Sequence, residues 1–378
     1  MKTQQRHWTL EHGWRPADAG PVALCAQLVL VFGAPDRLRD PRRLAELAAA
    51  YPEAHVVGCS TAGEILGTAV LDDSLVATAI EFDSTAIRVA DTPIDGDGDS
   101  CDAGRRLALA LPHEDLAHVL VLSDGISVNG SQLVEGLTSR LPTGVTATGG
   151  LAGDGARFVE TLVLHDRQPR TRVAVAVGFY GSHVRVGYAS LGGWDPFGPE
   201  RLITKAVGNV LFELDGQSAL GLYKRYLGDY AANLPASGLH FPLRVRVADD
   251  RPPTVRTILG IDEAGQSMTF AGDMPVGARA QLMRANIDRL IDGAMGAARA
   301  SHRVGAPTPA LALLISCVGR KLVLKQRIEE EVEAVREVLG PGATLAGFYS
   351  YGEISPFTQS AHCELHNQTM TITTFSEL

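Results

Sequence analysis

The sequence predicts an α/β to α+β protein: mixed sheets flanked by helices, built from repeated strand-helix-strand-loop-strand units in two lobes. Three observations carry this. A pattern of apolar strand, amphipathic helix, second strand with a Gly-rich loop and further strand returns three times along the 378 residues. Strand-helix-strand links favour parallel neighbours and short links favour antiparallel ones, so a sheet of one kind does not suffice. The composition, 45% hydrophobic and 20% charged, is that of a globular chain with a sizeable core.

Copy one runs AQLVLVFG (26–33), a helix over 41–51, AHVVGCSTAGEI (54–65) and LVATAIEF (75–82). IEFDSTAIRV (80–89) reads as a hairpin and DTPIDGDGDSCD (91–102) as a loop. Copy two runs AHVLVLSDG (117–125), a helix over 131–141, GVTATGGLAGDG (144–155) and FVETLVLHD (158–166). That last strand, RVAVAVGFYG (172–181) and VRVGYASL (184–191) read as a meander. GGWDPFGPE (192–200) is hinge-like and marks the main boundary, giving domains 1–191 and 192–378. Beyond it the spacing predicts helices over 201–214 and 217–227, strands over 241–247 and 254–262, and a long helix over 278–303. Copy three runs ALALLISCVGR (310–320), a helix over 323–339, ATLAGFYSYGEI (343–354) and QTMTITTF (368–375). In its helix Ile328, Val332, Val335 and Leu339 form an apolar stripe, with Glu329, Glu330, Glu331 and Glu333 facing away.

The formal charge of −9 and the lack of any basic run beyond an Arg pair disfavour nucleic acid and anionic membrane surfaces. Cys25, Cys59, Cys101, Cys317 and Cys363 form no CxxC, which argues against a disulfide framework, a zinc ribbon and covalent haem attachment. The N-terminal segment lacks a signal-peptide apolar core, and the longest apolar run, 22–32, falls short of the ~20 residues of a membrane helix. A cytoplasmic protein with reduced thiols is expected.

The candidate chemistry sits in the Gly-rich loops. Residues 58–65 and 347–354 share G-x-x-[ST]-x-G-E-I, a specific sign of duplication. A phosphate loop needs Lys after GxxxxG, but Glu64 and Glu353 occupy that place and Asp154 follows the turn of copy two. Acids suit an ammonium or another donor; the alternative is that each accepts N–H groups of its own loop. Arg320, just past a strand, could take a carboxylate bidentately, and an acidic pair with one Arg would make a zwitterion site; Arg320 could equally pair internally. The predicted ligand-binding residues are Ser60, Thr61, Gly63, Glu64, Asp154, Arg320, Ser350, Tyr351 and Glu353. Residues 58–62 break the G-x-S-x-G elbow, and nothing pairs Cys59 or Cys317 with a base, so no catalytic residue is assigned. Asp95, Asp97 and Asp99 start like a calcium loop, but Ser100 and Arg106 stand where Gly and Glu are needed. Cys363 and His366 have metal-compatible spacing without a full ligand set. A non-covalent haem b needs only one imidazole, for which His183, His240, His362 and His366 are candidates.

With these segments the chain resembles the FIST family (F-box and intracellular signal transduction proteins). VVGCSTAGEI, VLVLSDGISVNG, ATGGLAGDGARF, GGWDPFG, ISCVGRK, GFYSYGEISPF and CELHNQTMTITT carry the resemblance over nearly the whole chain. It implies a sensory, non-enzymatic module of bacterial signalling that binds a small ligand such as an amino acid. A subset of similar proteins implies an alternative: haem that senses nitric oxide, with a partner histidine kinase. The sequence contains no kinase, cyclase or receiver segment, so output through a partner protein is expected.

Overall fold

Leu28, Leu30 and Phe32 face one side of the first inner strand of copy one, Val29 and Val31 the other, and all five are buried. The computed structural model, which describes residues 1–17, 24–96, 98–249, 252–302, 308–357 and 362–378, repeats this arrangement twice. Leu120 and Leu122 in copy two, and Leu311, Leu313 and Ile315 in copy three, join Leu28, Leu30 and Phe32 in one central core. The alternate residues, Val29 and Val31, Val119 and Val121, and Ala312 and Leu314, pack outward among the helices. A strand covered on both faces reads as a continuous apolar run, which is why these segments lack polar alternation. Each buried Leu contributes about 1.5–3 kcal/mol.

Three sheets thus surround a shared core, one per copy. In copy one, parallel strands Leu28–Gly33 and His55–Ser60 flank helix Pro41–Ala50, and Leu75–Glu81 returns antiparallel beside the first strand. Copy two does the same with Leu116–Ser123, helix Gly130–Thr138, Thr146–Leu151 and Val173–Tyr180. In copy three the parts are Leu311–Cys317, helix Ile328–Leu339, Thr344–Ser350 and Met370–Glu377. Rim strands Lys2–Thr9, Ala86–Pro93 and Val184–Leu191 extend the three sheets.

The short strand after each Gly-rich loop leaves its own copy. Glu64–Leu66 of copy one pairs with the sheet of copy three, Val163–His165 of copy two with copy one, and Gly352–Pro356 of copy three with copy two. This cyclic exchange closes a ring. At Gly58, Gly149 and Gly347 a Cβ would lie 1.8 Å from the carbonyl oxygen of Val31, Val121 and Leu314, respectively, so only glycine lets the paired backbones meet.

The connections overturn two of the expected close-set pairings. Residues 80–89 are not a hairpin: Leu75–Glu81 belongs to the first sheet and Ala86–Pro93 to the second. The expected meander of 158–191 is instead Val163–His165, Val173–Tyr180 and Val184–Leu191 in three different sheets. Short links here carry the chain between sheets that face one another across the core. The segment 91–102 is strand to Pro93, and helix Ser100–Ala110 begins before its end; Asp97 lies outside the described residues. In copy three the first strand stops at Cys317, helix Val318–Leu324 follows, and the glutamate-bearing helix starts at Ile328.

A separate lobe is inserted between rim strand Val184–Leu191 and helix Ile287–Ser301. Its sheet runs Thr254–Arg256, Leu243–Arg246, Arg279–Arg284, Asp195–Val207, Val210–Leu214, Ser267–Phe270 and Ile258–Asp262. Residues 201–214 are therefore a hairpin, not a helix: Gly208, at φ 54°, and Asn209 make the turn between β-branched runs. The predicted helix of 278–303 is a strand and then a helix, because Asn286 accepts the N–H of Arg289 and caps a fresh N-terminus. Helix Ala219–Leu227 packs Leu220, Leu222 and Tyr223 into the lobe's own core.

Candidate functional site

The Gly-rich loops do come together, and they bond to one another. Ala62 donates to the Tyr349 carbonyl at 2.8 Å and Tyr349 to Gly63 at 2.8 Å; Gly153 donates to Ser60 at 2.8 Å and Tyr351 to Leu151 at 3.2 Å. Loops from all three copies thus share one backbone network at the end of the ring.

Their acidic side chains serve that network. Glu64 is 1% exposed and accepts the hydroxyls of Thr61 at 2.6 Å and Ser74 at 2.7 Å. Glu353, fully buried, accepts Ser350 Oγ at 2.7 Å and Thr369 Oγ1 at 2.9 Å. The repeated Thr-or-Ser to Glu bridge explains the shared S/T-x-x-E spacing without a guest. Burial pushes the Glu64 carboxyl up to about 7 and that of Glu353 up to about 8. Copy two has Ala152 where the hydroxyl would stand, and Asp154 instead accepts the N–H groups of Phe158, Val159 and Glu160 at 2.8, 2.9 and 3.0 Å, and the Tyr351 hydroxyl. Ser60 Oγ accepts the Leu162 N–H at 2.8 Å. Gly63 adopts φ 137°, with Lys321 Nζ close over it, bonded to the Ala62 carbonyl at 2.9 Å and paired with Asp72.

Arg320 is wholly buried and internally bound. It pairs with Glu331 at 2.7 Å and donates to the carbonyls of Gly192 at 2.6 Å and Leu290 at 2.7 Å. Its guanidinium is therefore not free for bidentate recognition of a guest and instead fastens the hinge that leads to the inserted lobe.

One predicted residue, Tyr351, does reach a cavity. A hollow of about 280 Å³ lies between ring and lobe. The ring supplies Gly125, Ile126, Val128, Asn129, Leu151, Phe158 and Tyr351; the lobe supplies Asn209, Leu259 and residues 269–271. Phe158 stacks on Tyr351 with ring centroids 4.3 Å apart, and the bond to Asp154 fixes the tyrosine ring. No formally charged side chain lines this hollow, so it suits an uncharged or aromatic guest. Sequence reading missed the lobe side, because it took residues 201–214 for a helix. The loop Asp124–Asn129 was visible as a Gly-containing strand end, and Asp124 holds it by accepting the N–H groups of Ile126 and Ser127.

The candidate haem histidines do not fit an axial ligand, which needs an apolar slot beside the imidazole. His366 is buried, bonded through Nε2 to the Ser355 carbonyl at 2.8 Å and covered by Phe357. His183 is exposed, and His240 is half-buried on a short 3-10 turn. His362 lies at the edge of a cavity walled by Glu135, Arg256, Asp273 and Glu364. Among the described residues no group of three or more His, Cys, Asp or Glu could hold a metal ion. Cys59 and Cys317 are desolvated strand residues whose thiols burial holds above the usual range, which removes the thiolate a nucleophile needs. Among the described residues no helix is long and apolar enough to cross a membrane.

The FIST N domain matches residues 27–217 and the FIST C domain residues 219–356. The chain belongs to the FIST family, whose domains are sensory modules of signal transduction that bind small ligands. No curated protein matches it. Among solved structures, a cyanuric acid hydrolase from A. caulinodans is similar over 93% of this chain and 90% of its own, at 9% identity and TM-score 0.32.

Proposed function

We propose that this chain is a cytoplasmic bacterial sensor that takes a small ligand into the hollow between ring and inserted lobe and signals through a partner protein. The hollow's shared wall carries this reading: Tyr351 and Phe158 belong to the ring, Asn209 and Phe270 to the lobe, so a guest bridges two bodies. A ligand that prefers one lobe orientation shifts the population toward it and alters a surface that a partner reads. The family resemblance suggests a histidine kinase as one such partner. The haem alternative finds no support in the histidines' surroundings.

The test is a thermal-shift panel of uncharged and aromatic metabolites, followed by hydrogen exchange with the best hit. A ligand at 100 times its Kd adds about 2.7 kcal/mol. Protection of both residues 125–129 and residues 269–271, lost in Leu259→Trp at the cavity wall, supports the proposal. Protection confined to either body refutes it.

A further inference from the structure

Phe158, on the ring side of the Tyr351 hollow, stands at φ 53°, in the left-handed region that glycine enters freely and a bulky side chain rarely adopts. Asp154 holds the turn by accepting the N–H groups of Phe158, Val159 and Glu160, and the Tyr351 hydroxyl oxygen also accepts the Phe158 N–H at 3.3 Å. On the side of residues 158–160 every one of these bonds is made by backbone. None needs a phenyl group, and glycine would satisfy them with less strain. Strained positions of this kind cluster at ligand clamps and switch regions.

What the phenyl ring does is cover Tyr351. The two planes lie 14° from parallel with centroids 4.3 Å apart, one aromatic ring stacked on another. Tyr351 is fixed beneath it: the hydroxyl bonds Asp154, and a Cβ added at Gly125 would lie 3.1 Å from the tyrosine Cδ2. Phe158 is held less tightly, being 39% exposed, with Val159 beside it 76% exposed. Rotation about χ1 would lift the phenyl ring from Tyr351 and leave the three backbone bonds to Asp154 in place. The rest of the wall limits what could replace it. Ile126, Leu259 and Phe270 supply apolar surface, and among the described residues no formally charged side chain is there to offset the desolvation of an ion.

We infer that Phe158 is a built-in stand-in for the ligand: its ring rests on the Tyr351 face that an uncharged, planar aromatic guest takes over, and swings outward as the guest enters. The inference rests on the hollow being the sensor's binding site; it adds the class of ligand and the residue that responds to occupancy. Guest and Phe158 compete for one surface, so the native phenylalanine lowers affinity by keeping the receptive state in the minority. The displaced ring also changes the apolar surface beside Ile126 and Leu259, which are 42% and 43% exposed.

Ligand-observed NMR titration of the full chain tests it with benzamide and 2-naphthamide as uncharged planar probes. Cyclohexanecarboxamide keeps the amide without the flat ring, and benzoate keeps the ring with a charge. At least one aromatic amide should bind at least tenfold more tightly than both controls, and Leu259→Trp should abolish that binding. Phe158→Ala should tighten it by about three- to tenfold, the worth of one aromatic stack, and Phe158→Gly should do the same without the backbone strain. With 4-fluorophenylalanine incorporated at position 158, the fluorine resonance should shift on saturation as the ring leaves Tyr351. Cyclohexanecarboxamide or benzoate binding as tightly as the aromatic amides, and lost in Leu259→Trp, overturns this inference and leaves the hollow a less selective site, so the sensor reading survives. Unchanged or weaker binding in a folded Phe158→Ala makes Phe158 a fixed wall and also overturns it. So does a failure of both aromatic amides to bind, or binding that persists in Leu259→Trp; the sensor reading is then decided by its own ligand panel.

Discussion

Replacing Arg320 by Met tests whether this arginine is structural. In the native protein Nε and Nη2 donate to Glu331 Oε2 at 3.0 and 2.7 Å, and the carbonyls of Gly192 and Leu290 take two further bonds. Both members of the ion pair are 0% exposed. Arg320→Met would leave the Glu331 carboxylate with the hydroxyls of Ser316 and Tyr349 as its remaining donors, and would strand two carbonyls. Breaking a buried pair from one side costs about 3–5 kcal/mol, and a stranded buried carbonyl about 1–3 kcal/mol. The contributions overlap, so a loss of about 4–6 kcal/mol is expected, a large part of the ~5–15 kcal/mol that holds a typical domain together. The assay is urea unfolding followed by tryptophan fluorescence, since Trp194 sits two residues from Gly192 and bonds the Gln368 carbonyl. The double variant Arg320→Met, Glu331→Leu removes both charges and should recover most of the loss. A single variant within about 1 kcal/mol of the native protein, or a double variant no better than the single, would refute the structural role and return Arg320 to the pool of ligand-binding candidates.

Glu64 and Glu353 make stability depend on pH. Their folded values, about 7 and about 8, lie above the ordinary 4.5, so the stability they contribute is full below pH 4.5 and is lost as pH rises through 7 and 8. Glu64→Gln with Glu353→Gln, which mimics the protonated acids, should flatten a decline of a few kcal/mol in unfolding free energy between pH 5 and 9; an unchanged slope would count against burial as its cause. Tyr351→Phe removes the hydroxyl that bonds Asp154 and the Gly155 carbonyl, at about 1–3 kcal/mol. Faster hydrogen exchange at Phe158 and Val159 should report it, and native rates there would contradict the coupling. Gly347→Ala drives a methyl into the Leu314 carbonyl, and the same change at Gly58 or Gly149 meets Val31 or Val121. Each should lower soluble yield or cost well over 1 kcal/mol by chemical denaturation, whereas Gly260→Ala, with open space around its Cβ and no positive φ, should avoid the clash.

The threefold unit was legible because each inner strand is buried on both faces and therefore reads as an unbroken apolar run, as in Leu28–Gly33 and Leu311–Cys317. Strand exchange was not, because Val163–His165 looks the same whether it pairs with its own copy or, as it does, with His55–Ser60. In the lobe, residues 201–214 satisfied helical spacing and strand alternation alike, and the Gly208-Asn209 turn decided between them. The loop motif was read correctly as a duplication. Which way its carboxylates turn depended on hydroxyls supplied from a distance, Ser74 for Glu64 and Thr369 for Glu353. Arg256 escaped notice because its burial against the carbonyls of Asp273 and Leu365 is set by three-dimensional packing and not by any local motif.

Those turns also explain why the hollow faced by Tyr351 lies off the ring's centre. When three equivalent loops meet, each finds in its neighbours the donors and acceptors it needs: Ala62 in Tyr349, Gly153 in Ser60, Tyr351 in Leu151. Near-symmetry consumes polar groups that a guest would otherwise use. Unspent chemistry therefore collects where the copies differ. Copy two carries the loop Asp124–Asn129, whereas copy three enters helix Val318–Leu324 directly from Cys317. Copy three alone admits a lobe between its rim strand and its first helix, and the Tyr351 hollow lies along the seam that this lobe makes with the ring. The insertion breaks the pattern that the ring satisfies, so the hollow that Tyr351 and Phe158 line is found there.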